Sequence, residues 1–309
     1  MKKKITAIVL CTLIIFCFGC NKKDANDKAN ENSKKVVTSF YPMYIFTLNL
    51  TQGIDDITVT NITQNTGGCL HDYQLLPKDM VTLNDASIFV TNGAGMEDFM
   101  TKVSKQLPDL KVVSASDGID LIADDHHHHD NDTDEADEHE DYNSHVWLSV
   151  PNAIKQVENI AKSLKETFPE NADKIESNKK QYIKTLTSLD NEIAKETATY
   201  SGAQIITFHE AFDYFAKQYN ILIIDTIETD EGDEPSAKEL SELSAEIKEK
   251  GVKALFVEPH YKGNSANILA TETGVKVYTI NPITSGDNSL TSYEDIMREN
   301  LKVFKEALG

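Results

Sequence analysis

Past residue 35 the chain alternates short apolar runs with segments whose apolar residues recur three or four positions apart. "KVVTSFY", "ITVTNI", "ASIFVTN" and "KVVSAS" are rich in Val, Ile and Thr and predict strands. Between them, "YIFTLNLTQ", "YQLLPKDMVTLND" and "EDFMTKVSKQL" carry the spacing of helices. The second half repeats this rhythm. Its strands are "AQIITFH", "ILIIDTI", "KALFVEP" and "KVYTINP", and its helices are "EAFDYFAKQYN", "AKELSELSAEIKEKG" and "YEDIMRENLKVFKEAL". Such alternation predicts an α/β fold with one parallel sheet per half, covered by helices on both faces.

Between the halves, residues 171–200 contain no Gly or Pro, and Ile175, Tyr182, Leu186, Leu189 and Ile193 recur at helical spacing. One rigid linker helix over 171–201 follows, about 40 Å long at 1.5 Å per residue. The competing reading is two shorter helices broken near Ser188. On the first reading an α/β lobe over 36–170 and another over 202–309 flank the rod, which limits how far they can close. The cleft between them is then expected to be largely preformed.

The ends set the compartment. "MKKKITAIVLCTLIIFCFGC" places three lysines before an apolar run, the layout of a secretory signal over 1–19. That run is short of the roughly 20 apolar residues a membrane span needs. Gly19-Cys20 resembles a bacterial lipobox, which implies a lipid on Cys20 and a polar tether over 20–35; plain secretion is the alternative. Cleavage removes Cys11 and Cys17, so Cys69 remains as one thiol without a partner for an internal disulfide. The formal charge of −20 argues against a nucleic-acid partner, because phosphate binding needs clustered Lys and Arg.

Histidine placement carries the functional signal. His126, His127, His128, His129 and His139 lie in "DDHHHHDNDTDEADEHED", residues 124–141, with ten carboxylates and no Lys or Arg. A segment with so little to bury is expected to be a mobile, solvated loop, and its side chains suit auxiliary capture of divalent metal. A bland acidic linker is the alternative. His71 and His209 each follow a strand and precede a helix, where parallel α/β sheets bind ligands. His145 leaves the acidic loop and leads through "VWLSVPNA" into another helix. These three histidines are the candidate metal ligands. His260, in "VEPHYKG", has Lys262 nearby and is read as a surface residue.

The order of "TSFYPMY" at 38–44, "HDYQLLPKD" at 71–79, "HVWLS" at 145–149, "TFHEAFDYFAKQYN" at 207–220, "EPSAKEL" at 234–240 and "INP" at 280–282 resembles one family. That family is the metal-binding substrate-binding lipoproteins of ABC importers, in particular the zinc-uptake (ZnuA/AdcA-like) group. The resemblance implies two Rossmann-like lobes joined by a long helix, with metal held between them by His71, His145 and His209. It also implies Zn²⁺ as transported ligand, a permease subunit as partner, a lipid anchor on the outer face of the cell membrane, and a monomer.

The family's fourth ligand is commonly acidic and lies after the last strand. "TINPITSGDN" supplies no carboxylate from Asn281 to Thr284, so Asp287, Glu258 or a water is left to fill the position. Three neutral imidazoles suit zinc, whereas manganese prefers more oxygen. A surface protein for manganese or another divalent ion is the alternative. Cys69 is read as a spectator, with coordination of the metal as the second reading. Hydrolysis is disfavoured, because "HEAFD" at 209–213 places Asp213 where the H-E-x-x-H motif of zinc hydrolases needs its second histidine. If the acidic segment only concentrates metal, deleting 124–141 should slow zinc capture at scarce metal and leave one tight site. Chelator-competition kinetics check this, and loss of the tight site would refute the division of labour.

Overall fold

A computed structural model describes residues 34–63, 73–123, 142–227 and 235–309. The expected signal segment 1–19 and Cys20 with nearly all of its tether lie outside the described residues. So do Cys69, His71 and the acidic segment 124–141 with His126, His127, His128, His129 and His139.

The first sheet holds β1 (Lys34–Thr38), β2 (Ile57–Asn61), β3 (Ile88–Thr91) and β4 (Val112–Ser114). The second holds β5 (Gln204–Thr207), β6 (Leu222–Thr226), β7 (Ala254–Val257) and β8 (Lys276–Thr279). Every pairing is parallel, and the orders β2-β1-β3-β4 and β6-β5-β7-β8 are the same order used twice. The inner strands β3 and β7 are buried along their whole length, as parallel strands covered on both faces require. The expected α/β class with one parallel sheet in each half is therefore what the chain adopts.

Nine α-helices surround the sheets among the described residues. They are α1 (Tyr41–Thr51), α2 (Pro77–Asn84), α3 (Met100–Gln106), α4 (Val150–Thr167), α5 (Ala172–Thr197), α6 (Asp213–Tyr219), α7 (Ala237–Lys250), α8 (Ser265–Thr273) and α9 (Ser292–Leu308). The helix read from Tyr73 onward begins only at Pro77. Proline inside a helix removes a hydrogen bond and clashes with the preceding turn, but it suits the first position. Leu76 accordingly stays extended, and its N–H donates to the Asp79 carboxylate at 2.7 Å. The sequence reading missed α8, whose "SANILATET" carries a weak apolar stripe before Gly274 ends it at φ 78°.

The long helix α5 is unbroken at Ser188 and runs for 26 residues, about 39 Å at the standard rise. Its buried stripe is Ile175, Tyr182, Leu186, Leu189 and Ile193, and it packs on α1 and α4 from the first half and on α9 from the second. One core cluster thus runs from Val36 and Phe46 through Leu186 to Phe256 and Phe304 without a break between the halves. A smaller cluster lies on the other face of the second sheet, where Ile206 and Leu255 meet Leu240 and Leu269. Successive strand residues point to opposite faces, so Ile205 joins the main core while Ile206 joins the smaller one.

Ion pairs border the rod. Arg298 meets Glu192 at 3.0 Å, Lys305 meets Glu196, and Lys165 meets Glu176 at 2.6 Å. Hydrogen bonds from Lys165 and Lys179 hold the Glu176 carboxyl down to about 2, so that pairing fades only as pH falls from the usual carboxylate range towards that value. Exposed pairs contribute about 0–1 kcal/mol each, whereas a fully buried Leu contributes about 1.5–3 kcal/mol. The apolar stripe decides where the helix lies. Leu186→Ala should cost about 2–5 kcal/mol in urea denaturation, with the transition remaining single because both halves share this core. Two separated transitions in the wild-type chain would contradict a shared core.

Candidate metal centre

In each sheet the chain steps one way from its first strand and then back to its third. This leaves a switch point at the carboxyl end of the first strand, where open α/β sheets bind ligands. In the second sheet that strand is β5, and His209 follows it. Its backbone is extended (φ −166°, ψ 147°) before a 3₁₀ turn, Glu210–Phe212, feeds into α6. In the first sheet the corresponding strand, β1, is followed by Ser39 and Phe40, and the Phe40 ring stands edge-on to Trp147 at 4.8 Å. Trp147 belongs to the 3₁₀ turn Val146–Leu148, which begins immediately after His145.

These elements bring two of the three candidate histidines together. His145 Nε2 lies 3.1 Å from His209 Nε2, with ring centroids 4.8 Å apart and planes nearly perpendicular. Zn–N bonds of about 2.0–2.1 Å at a tetrahedral angle place two nitrogens about 3.3 Å apart. The observed spacing is therefore close to what two imidazoles sharing one ion adopt. His145 is wholly buried and His209 is partly exposed, so the pair has one sheltered member and one facing the opening.

Around the pair stands a shell that sequence reading did not assign. Asn143 Oδ1 accepts from the backbone N–H of His145 at 2.9 Å and lies 3.1 Å from its Nδ1. Asn143 Nδ2 donates to the Glu210 carbonyl at 2.8 Å and to Asp213 Oδ2 at 3.1 Å. The buried Glu210 carboxyl group comes within 4.0 Å of His145 Nδ1. Tyr214 Oη donates to the Asn143 carbonyl at 2.7 Å, and burial raises this phenol so that it stays a donor. The sequence signal for these groups was adjacency: Asn143 is two residues before His145, and Glu210 follows His209.

The loop after β8 closes the rim. Trp147 Nε1 donates to the Pro282 carbonyl at 2.8 Å, and Tyr293 Oη donates to the Trp147 carbonyl at 2.7 Å. Farther along, Tyr41 Oη donates to the Asp287 carbonyl at 2.6 Å, and Asn49 Nδ2 donates to the Leu290 carbonyl at 2.9 Å. Trp147 and two residues of α1, Tyr41 and Asn49, therefore hold this loop directly, and Tyr293 holds Trp147. Ile283 sits within it at φ 62°, a strained value for a β-branched residue, with its N–H on Asn281 Oδ1 at 2.8 Å.

Of the two acidic candidates for a fourth ligand, Asp287 is exposed and its carboxylate accepts from the Ser289 N–H at 2.9 Å. Glu258 is half-buried beyond the end of β7, and His260 is exposed. Among the described residues, no group of three or more His, Cys, Asp or Glu is gathered to hold a metal. The structure joins His145 to His209 and adds neither Asp287 nor Glu258 to them. His71 falls in the segment between β2 and α2 that lies outside the described residues.

Gly286 makes the packing of this loop testable. A Cβ added there would lie 2.2 Å from Tyr41 Oη, so the ring or the loop must move. Gly286→Ala should cost about 1–3 kcal/mol in chemical denaturation through overpacking. An unchanged midpoint would show that the loop yields at no cost.

A family model described as the periplasmic component A of the zinc-uptake complex matches residues 36–307. The zinc-binding lipoprotein AdcA of Streptococcus pneumoniae is 31% identical, over 98% of this chain and 61% of its own length. The chain thus spans about three-fifths of the streptococcal relatives it matches. The high-affinity zinc uptake system protein ZnuA of Bacillus subtilis is also 31% identical, over 97% of this chain and 96% of its own. Among solved structures, the Zn(II)-bound ZnuA-like domain of S. pneumoniae AdcA matches with a TM-score of 0.73 at 29% identity. That match covers 89% of this chain and 99% of the domain.

Proposed function

The chain belongs to the zinc-uptake component A family, and from that premise we propose that it captures Zn²⁺ outside the cytoplasm and delivers it to the permease of an ABC importer. The observation that carries this reading is the 3.1 Å approach of His145 Nε2 and His209 Nε2. One histidine immediately precedes the 3₁₀ turn before α4 and the other follows the switch point of the second sheet. Borderline-soft Zn²⁺ favours such imidazole donors, and a buried carboxylate beside them offsets the charge of the bound ion.

His71 is the third ligand in this proposal. It falls in the segment between β2 and α2. The fourth position falls to Asp287, Glu258 or water. Cys20 carries the lipid, residues 20–35 form the tether, and the monomeric protein works at the cell surface. No helix among the described residues is long and apolar enough to cross a membrane.

Delivery rather than hydrolysis fits the residues beside His209. Asp213, where the hydrolase motif would place its second histidine, receives the Asn143 amide instead. Its neighbour Glu210 is buried and turned towards the inner side of His145, not towards the opening. A carrier needs selective, reversible binding, and two rings facing one another at the rim of a braced cleft meet that requirement.

Competition titration of the lipid-free chain with a zinc chelator tests the proposal. His145→Ala and His209→Ala should each weaken the tight site by more than the roughly 10–100-fold typical of losing an outer-sphere partner. Unchanged affinity in either variant would remove that residue from the site.

A further inference from the structure

Asn143 is 1% exposed, and each of its polar groups is engaged. Its N–H donates to the Ile122 carbonyl at 2.9 Å, its carbonyl accepts from Tyr214, and its amide meets four further groups. Two of those four are backbone atoms that have only one role. The His145 N–H can only donate, and the Glu210 carbonyl can only accept. Together they fix which end of the amide is oxygen, since a flipped amide would set donor against donor and acceptor against acceptor. With Oδ1 fixed beside His145 Nδ1, the neutral ring must carry its proton on Nδ1. The Nε2 lone pair then faces His209 Nε2, 3.1 Å away.

The same amide spans two halves of the fold. Its oxygen holds a ring that precedes α4. Its nitrogen holds the backbone of the turn after His209 and the first residue of α6. Tyr214 Oη also accepts from the Ile122 N–H at 3.0 Å, which completes a closed ring of hydrogen bonds between Ile122, Asn143 and α6. Any displacement of His145 relative to His209 must break bonds to Asn143.

We propose that Asn143 is a positioning residue for zinc capture: its buried amide presets His145 as the Nδ1–H tautomer, with Nε2 aimed at the ion, and ties that ring to the turn carrying His209. This inference rests on the reading of His145 and His209 as zinc ligands. Outer partners of this kind orient a ligating imidazole and raise its basicity, and their loss typically costs about 10–100-fold in affinity.

Long-range ¹⁵N–¹H spectra of the zinc-free chain, with chelator competition on the same samples, test the proposal. The wild-type spectrum needs no variant and should show His145 protonated on Nδ1. Asn143→Ala should lose that preference and bind zinc about 10–100-fold more weakly, with its circular dichroism retained. Asn143→Asp keeps the oxygen beside His145 but sets its other oxygen against the Glu210 carbonyl and the Asp213 carboxylate, so it should restore the tautomer while zinc affinity stays below wild type. A wild-type His145 protonated on Nε2 would overturn the proposal. So would a folded Asn143→Ala whose zinc affinity stays within about two-fold of wild type, given that such partners normally cost ten-fold or more. His145→Ala serves as the control. If it binds zinc undiminished, the coordination reading fails and this inference with it; if it loses zinc while Asn143→Ala does not, only this inference fails.

Discussion

Both halves of the molecule are built on one apolar core, and the positions of His145 and His209 depend on it. Helix α5 buries a single stripe against helices from each side, so the sheets cannot separate without exposing Leu186, Tyr182 and their partners to water. Water is thus excluded along the seam, and polar groups from the two halves meet at its rim. There the indole of Trp147 reaches the loop after β8, and the amide of Asn143 reaches the turn after β5. A hinge through flexible loops is not what this arrangement offers. The two candidate histidines therefore sit on a braced frame.

Bracing has a chemical consequence. Two imidazoles in contact distance, one buried and one partly open, form a site in which geometry precedes the ligand. Folding therefore bears most of the cost of orienting them, and binding bears less of it. Glu210 places a buried carboxyl group beside the rings, while the numerous surface carboxylates are screened by solvent.

The loop after β8 is the second element that tertiary contacts fix beside the histidine pair. It offers no carboxylate from Asn281 to Thr284, yet Tyr41, Asn49, Trp147 and Asn300 all hold it in place. Asn300 accepts the Asn281 N–H and donates to the Asn281 carbonyl, so the strained Ile283 is reached from a clamped start.

Periodicity made the eight strands and the long rod legible, because alternation by two and by three to four reports directly on which residues a strand or helix can bury. It also placed His209 at the end of β5, since a strand followed by a helix defines its own carboxyl end. Local rules failed at Tyr73, where the stereochemistry of Pro77 outweighed an apolar pattern, and at α8, whose stripe is too weak to read. Asn143 and Trp147 looked ordinary in sequence, because a single amide or indole has no periodic signature and takes its role from partners more than sixty residues away. The order of residues along the chain therefore determined the elements and the kinds of ligand available. The tertiary structure decided which of them meet, because the approach of His145 to His209 depends on a core shared by both halves and on hydrogen bonds that exist only after they have packed.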